Sequence, residues 1–141
     1  MNFLKNVQTY IKAMRYSSTR GQVKNLVFED TVMMGLADDG GLLVPNEVPF
    51  IESSLEKWRP LSFTELSLEI MLLFTSGRIP REELMSIINQ SYTSFHHPEV
   101  TPVKLVGQLH ILELFHGPTF AFKDVALQFL GNLFAFFLKK T

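Results

Sequence analysis

The segment VALQFLGNLFAFFL, from Val125 to Leu138, is apolar on almost every side when wound as a helix, with only Gln128 and Asn132 interrupting it. It is too short to span a membrane, which takes about 20 consecutive apolar residues. A helix that is apolar all round belongs in a deep protein interior. The rest of the chain must therefore supply a core around it. With 141 residues, 46% of them hydrophobic and 19% charged, there is material for one domain, or for one small domain and the beginning of another.

Charge and side-chain chemistry narrow the function. A formal net charge of -1 gives no electrostatic case for nucleic acid or an anionic membrane surface as a partner. The sequence has no cysteine, so disulfides, thiolate zinc sites and cysteine nucleophiles are excluded. This fits a reducing compartment, and a cytoplasmic location is the expectation. The histidines are His96, His97, His110 and His116, and none stands in helical metal-binding spacing with a carboxylate, so no metal site is expected.

Periodicity and turn chemistry organise the chain. RYSSTRG, Arg15 to Gly21, reads as extended. Phe28 to Ala37 reads as a helix, with Phe28, Val32, Met33 and Leu36 on one face and Glu29 and Asp30 favourably placed in its first turn. The turn Asp38 to Gly41 ends it, and a short strand follows at Leu42 to Val44. Asn46 to Pro60 reads as irregular. Ser62 and Glu65 form a capping box for a helix reaching Thr75, with Phe63, Leu66, Ile70 and Leu73 as its apolar stripe. Pro80 starts a second helix that ends near Tyr92. FHHPEVTP, Phe95 to Pro102, reads as a linker, with His96 and His97 as solvated residues. Strands are predicted at Val103 to Val106 and His110 to Leu114 around a turn at Gly107 and Gln108, and a last helix from about Ala121 to Lys139.

The stretch HGPTFAFKD, His116 to Asp124, joins the last strand to the last helix. Gly117 and Pro118 make a sharp turn there, and Thr119 is expected to cap the helix with its hydroxyl. Lys123 then falls in the first helical turn, where unpaired backbone N–H groups carry partial positive charge. Phe120 and Phe122 are expected to surround it with apolar surface. Both effects favour the neutral amine, which is a nucleophile toward aldehydes. Asp124 opposes them as a counter-charge. On spacing alone, a lysine beside an aspartate at a helix start is more often a solvated charge on a snorkelling stem. The residues by themselves leave both readings standing.

HGPTFAFKDVALQFLGNLF, His116 to Phe134, resembles the signature of the threonine synthase family, pyridoxal-phosphate enzymes of fold type II. YSSTRG (Tyr16 to Gly21), FEDTVMMGLADDGGLLVP (Phe28 to Pro45), EVTPV (Glu99 to Val103) and ILELFHGPT (Ile111 to Thr119) resemble family blocks in the same order. The resemblance runs from about Met14 to the last residue. It implies that Lys123 forms the Schiff base with pyridoxal 5'-phosphate and that the substrate is O-phospho-L-homoserine, converted with water to L-threonine and phosphate. Thr119, Asp124 and Arg20 are weaker candidates. Thr119 and His116 line the loop before the lysine, with a helix cap and a loop histidine as the plainer readings. Arg20, with Ser18 and Thr19, could meet the substrate phosphate, and an ion pair within the small domain is the plainer reading.

The resemblance also sets the expected architecture, a mixed α/β fold. Residues 1–13 are an extension of unknown role, 14–97 a small helix-rich N-terminal domain, and 98–141 the truncated start of a fold type II α/β domain. The family continues well beyond the position of Thr141. It carries there a Gly-rich cradle for the cofactor phosphate that this sequence lacks. The expectation is therefore a fragment, a split gene product or a truncated gene model, inactive alone and completed by the missing remainder. The alternatives are a non-catalytic protein that binds a partner through its apolar last helix, or a related phospho-lyase acting on another phosphorylated amino acid.

Overall fold

Two helices with strong local start signals build the centre of the molecule. The computed structural model describes residues 13–140, so the extension expected at 1–13 lies, apart from Ala13, outside the described residues. The element order is β1 (Tyr16–Ser18), α1 (Phe28–Met34), β2 (Leu43–Pro45), a 3-10 turn (Glu52–Ser54), α2 (Leu55–Trp58), α3 (Phe63–Thr75), α4 (Arg81–Tyr92), β3 (Val103–Val106), β4 (Leu109–Leu112) and α5 (Asp124–Leu138). Ser62 caps α3 as its sequence predicts. Its amide donates to the Glu65 carboxylate at 2.8 Å, and its hydroxyl oxygen accepts from the Glu65 amide at 3.4 Å. Helix α3 ends in left-handed backbone at Ser76 (φ 49°) and Gly77 (φ 73°), which turns the chain toward α4. Pro80 precedes α4, and Glu82 and Glu83 occupy its first turn.

Leu84, Ile87 and Ile88 of α4 are buried between α3 and α5. Helix α5 crosses α4 and reaches α1, where the Phe137 ring meets Phe28 edge-on at 6.3 Å. Phe28 in turn lies 6.0 Å from Tyr16 of β1. Asn132 Nδ2 donates to Ser91 Oγ at 3.1 Å, and the Tyr92 hydroxyl donates to the Val125 carbonyl at 2.9 Å, so polar groups along the α4–α5 seam are satisfied. Burial of α5 is one-sided. Leu133 and Phe137 are buried, while Leu127, Leu130 and Leu138 are exposed. The all-round burial expected for this helix is not realised by the described residues, because α4 and α1 cover only one stripe of it.

The front of the chain folds around β1 and β2, which pair antiparallel with Tyr16 opposite Pro45 and Ser18 opposite Leu43. Helix α1 is shorter than predicted. Gly35 leaves the helix at φ 71°, so Leu36 departs from the apolar face, bridges to Leu42 and is exposed. The predicted irregular stretch from Asn46 to Pro60 contains the 3-10 turn and α2, whose Ile51, Leu55 and Trp58 border an apolar groove against Leu66 and Ile70 of α3. Strands β3 and β4 form a hairpin whose turn holds Gly107 at φ 63°, with Val103 opposite Leu112 and Val106 opposite Leu109. All eight of its strand residues are exposed. The fold is thus mixed, with helices predominating and two small antiparallel sheets.

Candidate functional site

The loop between β4 and α5 is pinned from within by one carboxylate. Asp124 is 3% exposed and is the first residue of α5. Its Oδ2 accepts from the Thr119 amide at 2.8 Å and its Oδ1 from the Thr119 hydroxyl at 2.7 Å. Burial alone would raise this carboxyl. The bonds from Thr119 and from the Ala121 backbone outweigh burial and hold it below the ordinary carboxylate range. Gly117 lies so close that a Cβ there would collide with the Asp124 side chain. Phe120 sits in left-handed backbone at φ 58°, an uncommon conformation for a bulky residue.

The same loop is held from outside. The His96 amide donates to the His116 carbonyl at 2.9 Å, and His96 Nδ1 lies 3.2 Å from that oxygen. The His96 ring stacks on Phe120, 5.4 Å between centroids and 10° from parallel. His116 Nε2 meets Glu113 Oε2 at 2.7 Å, with both side chains four-fifths or more buried, and the His97 ring lies 4.9 Å from the His116 ring. His96 and His97, read from sequence as solvated linker residues, are in addition partners of the loop, with His96 still exposed and His97 partly buried. Glu113 was not singled out by sequence reasoning. Its signal was the three-residue spacing to His116.

The structure changes three expectations for this segment. Helix α5 begins at Asp124 rather than Ala121, so Lys123 stands just ahead of the helix at its N-cap. Thr119 does not cap the helix; its hydroxyl is spent on the Asp124 carboxylate. Phe120 and Phe122 do not enclose Lys123, since both rings are exposed, as is Lys123 itself. Asp124 points back into the loop, and among the described residues no ion pair joins it to Lys123.

Arg20 belongs to a second cluster at the front of the chain. Its Nη1 donates to the Asp39 carbonyl at 3.2 Å, and the guanidinium packs against Gly40. Asp39, read from sequence only as a turn residue, is the hub. It accepts from the Ser18 hydroxyl at 2.6 Å, the Gly41 amide at 2.9 Å and the Gln22 amide at 3.1 Å. The Ser18 bond is the largest influence holding its carboxyl below the ordinary range. Among the described residues, no hydrogen bond of this cluster reaches the loop around Lys123. Among the described residues, no group of three or more histidine or acidic side chains could hold a metal ion, and no helix is long and apolar enough to cross a membrane.

Pyridoxal phosphate fits the lysine end of this arrangement. Lys123 is exposed, so its amine is open to an aldehyde, and it is the N-cap residue of α5, where the free backbone amides favour anions.

A family model described as threonine synthase N terminus matches residues 15–92. The threonine synthase of Schizosaccharomyces pombe is 53% identical over 128 residues, which make up 89% of this chain and 25% of that protein. Threonine synthase-like 2 of Xenopus laevis is 38% identical over 130 residues, 90% of this chain and 27% of that protein. The crystal structure of pyridoxal-phosphate-bound threonine synthase from Brucella melitensis matches with a TM-score of 0.85 at 40% identity, covering 90% of this chain and 28% of that one. The chain spans about a quarter of the length of the curated relatives it matches.

Proposed function

The chain belongs to the threonine synthase family, and from that premise we propose that it is the N-terminal part of an enzyme making L-threonine and phosphate from O-phospho-L-homoserine and water. In this reading Lys123 holds pyridoxal 5'-phosphate through its amine. When bound, that cofactor supplies an electron sink for charge developing on the substrate carbons. The lysine amine, once released, would take the proton from Cα, hand it on, and then take one from Cβ so that the C–O bond to the γ-phosphate breaks. Water would give its hydroxyl to Cβ, and the three protons freed from Cα, Cβ and water would end on Cγ, on Cα and on the departing phosphate. Thr119 and Asp124 support the loop that carries it. Arg20 uses one N–H on the Asp39 carbonyl and keeps the remaining donors of its guanidinium for an anion such as the substrate phosphate.

The observation that supports this reading most is a single one. An accessible lysine, the N-cap of α5, stands next to last in HGPTFAFKD, in a chain that aligns over nine-tenths of its length with a pyridoxal-phosphate-bound threonine synthase. The remaining three quarters of such an enzyme would be the chain's partner, and its activity depends on them. The test joins this chain to the corresponding remainder of the S. pombe relative and follows phosphate release from O-phospho-L-homoserine. Turnover that Lys123→Ala abolishes is the expected result. Turnover that survives Lys123→Ala overturns the reading.

A second reading rests on the exposed apolar surface. The β3–β4 hairpin and Leu127, Leu130 and Leu138 of α5 offer a face to another polypeptide. A non-catalytic protein of this family would use that face for binding. A stable complex formed without any phosphate-releasing activity in the joined protein would favour it. For the third reading, a related phospho-lyase, the substrate is another phosphorylated amino acid, and assay of such compounds separates it from the first.

A further inference from the structure

We infer that Asp124 is a positioning residue for Lys123, acting through Thr119 by holding the turn from Gly117 to Lys123 closed. This rests on the reading of Lys123 as the cofactor-bearing residue and specifies how that residue is aimed.

Two local arrangements compete in this stretch. In one, Thr119 caps a helix that starts at Ala121, and Lys123 lies within the first turn. In the other, Thr119 gives both its amide and its hydroxyl to Asp124, and the helix starts only at Asp124. The second arrangement is the one adopted. It places Phe120 at φ 58°, a strained conformation for a bulky residue that persists only when the surroundings impose it. Asp124 holds the turn in it from within, through its two hydrogen bonds from Thr119, while the His96 ring stacked on Phe120 holds it from outside. Gly117 completes the device, since any larger residue would push the carboxylate away from Thr119. Lys123 is the residue between the staple and the helix. Its backbone is fixed on one side by the carboxylate beside it and on the other by the first helical hydrogen bonds, from Ala126 and Leu127 to its carbonyl at 3.1 and 2.8 Å. An amine delivered from a fixed backbone meets an incoming aldehyde in one geometry, whereas an amine on a relaxed turn meets it in many.

The experiment uses this chain joined to the S. pombe remainder as above, which supplies the expected cradle for the cofactor phosphate, and two independent readouts. Amide exchange at Thr119 reports whether the staple is closed. Pyridoxal phosphate followed by borohydride, with the label mapped by peptide, reports how well Lys123 competes with Lys139 on the same chain. Asp124→Ala and Thr119→Val should each accelerate exchange at Thr119 by about tenfold or more. Both should also lower the Lys123-to-Lys139 label ratio several-fold. Thr119→Ser keeps the hydroxyl and should restore both. Thr119 is at the surface, so its variants keep the test open if Asp124→Ala fails to fold. A wild-type label concentrated on Lys123 that does not move when the exchange shows the staple open overturns the positioning role alone. A wild-type label no greater on Lys123 than on Lys139 overturns the cofactor reading and the positioning role together.

Discussion

The phenol of Tyr16 donates a 2.9 Å hydrogen bond to the backbone carbonyl of Phe74, tying β1 to the last turn of α3 across 58 residues of chain. The same hydroxyl is pushed from its ordinary 10.0 up to about 12 by burial. In the unfolded chain it ionises near the ordinary value, so between those two limits the unfolded state holds fewer protons than the folded one. Stability is therefore fully present below pH 10.0 and falls as pH rises toward about 12. Tyr16→Phe should lose the hydrogen bond, at about 1 kcal/mol in urea unfolding at neutral pH, and should remove this part of the alkaline loss. An unchanged alkaline profile in the variant would assign that loss to another group.

The Ser62 cap carries a second prediction. Ser62→Ala should destabilise the protein by about 1 kcal/mol, read from the urea midpoint, because α3 loses a satisfied N-terminal amide. The Ser62 hydroxyl is also the largest influence holding the Glu65 carboxyl below its ordinary value. That contribution is present above the unfolded carboxylate range and is lost as pH falls through the folded value. Acid sensitivity should accordingly be weaker in Ser62→Ala than in the parent, as followed by circular dichroism between neutral pH and the acid limb.

At the front of the chain, Gly41 is packed against the Ser18–Asp39 pair. A Cβ at this position would collide with Ser18 Oγ and crowd the Arg20 amide. Gly41→Ala should destabilise by about 1–3 kcal/mol through overpacking. The Gln22 amide, which bonds to Asp39 at 3.1 Å, should lose exchange protection with it. Gly21→Ala meets no neighbour, and its penalty should reflect only the strained φ of 83°.

Two phenylalanines of the closing segment separate core from surface. Phe137 is 1% exposed and Phe122 is 65% exposed. Phe137→Ala should cost about 3–5 kcal/mol, enough to unfold a marginal domain. Phe122→Ala should change stability by no more than about 0.5 kcal/mol. Thermal melts of the two variants check the contrast. Equal losses would mean that Phe122 is covered in solution.

The local signals read correctly, such as the α3 cap and the hairpin turn, are those whose partners lie within a turn of one another and meet no competitor, unlike the Thr119 cap and the end of α1. Ser62 and Glu65 find each other across three residues whatever the rest of the chain does. Gly107 sets its hairpin by backbone preference, and Pro80 and the acids after it mark the start of α4. Arg20, Thr119, Asp124 and Lys123 could be named as candidates for the same reason, since they stand in short motifs. Their geometry was not legible. Whether Thr119 caps a helix or binds Asp124 is a choice between two local arrangements of similar hydrogen-bond number, and nothing within the motif ranks them.

What the sequence determined by itself was the long helices α3, α4 and α5 and the turns between them, the family blocks and the lysine that closes them, but not the 3-10 turn and α2 inside the stretch read as irregular. The tertiary structure decided where that lysine stands and which faces are covered. His96 holds the His116 carbonyl from 20 residues away, Gly117 admits the Asp124 carboxylate, and α4 and α1 select the Leu133–Phe137 stripe of a helix that is apolar on nearly every side. The physical reason is one of range. Caps and turns are settled by neighbours in sequence, whereas burial and the choice between competing hydrogen bonds are settled by whatever distant segment arrives beside them.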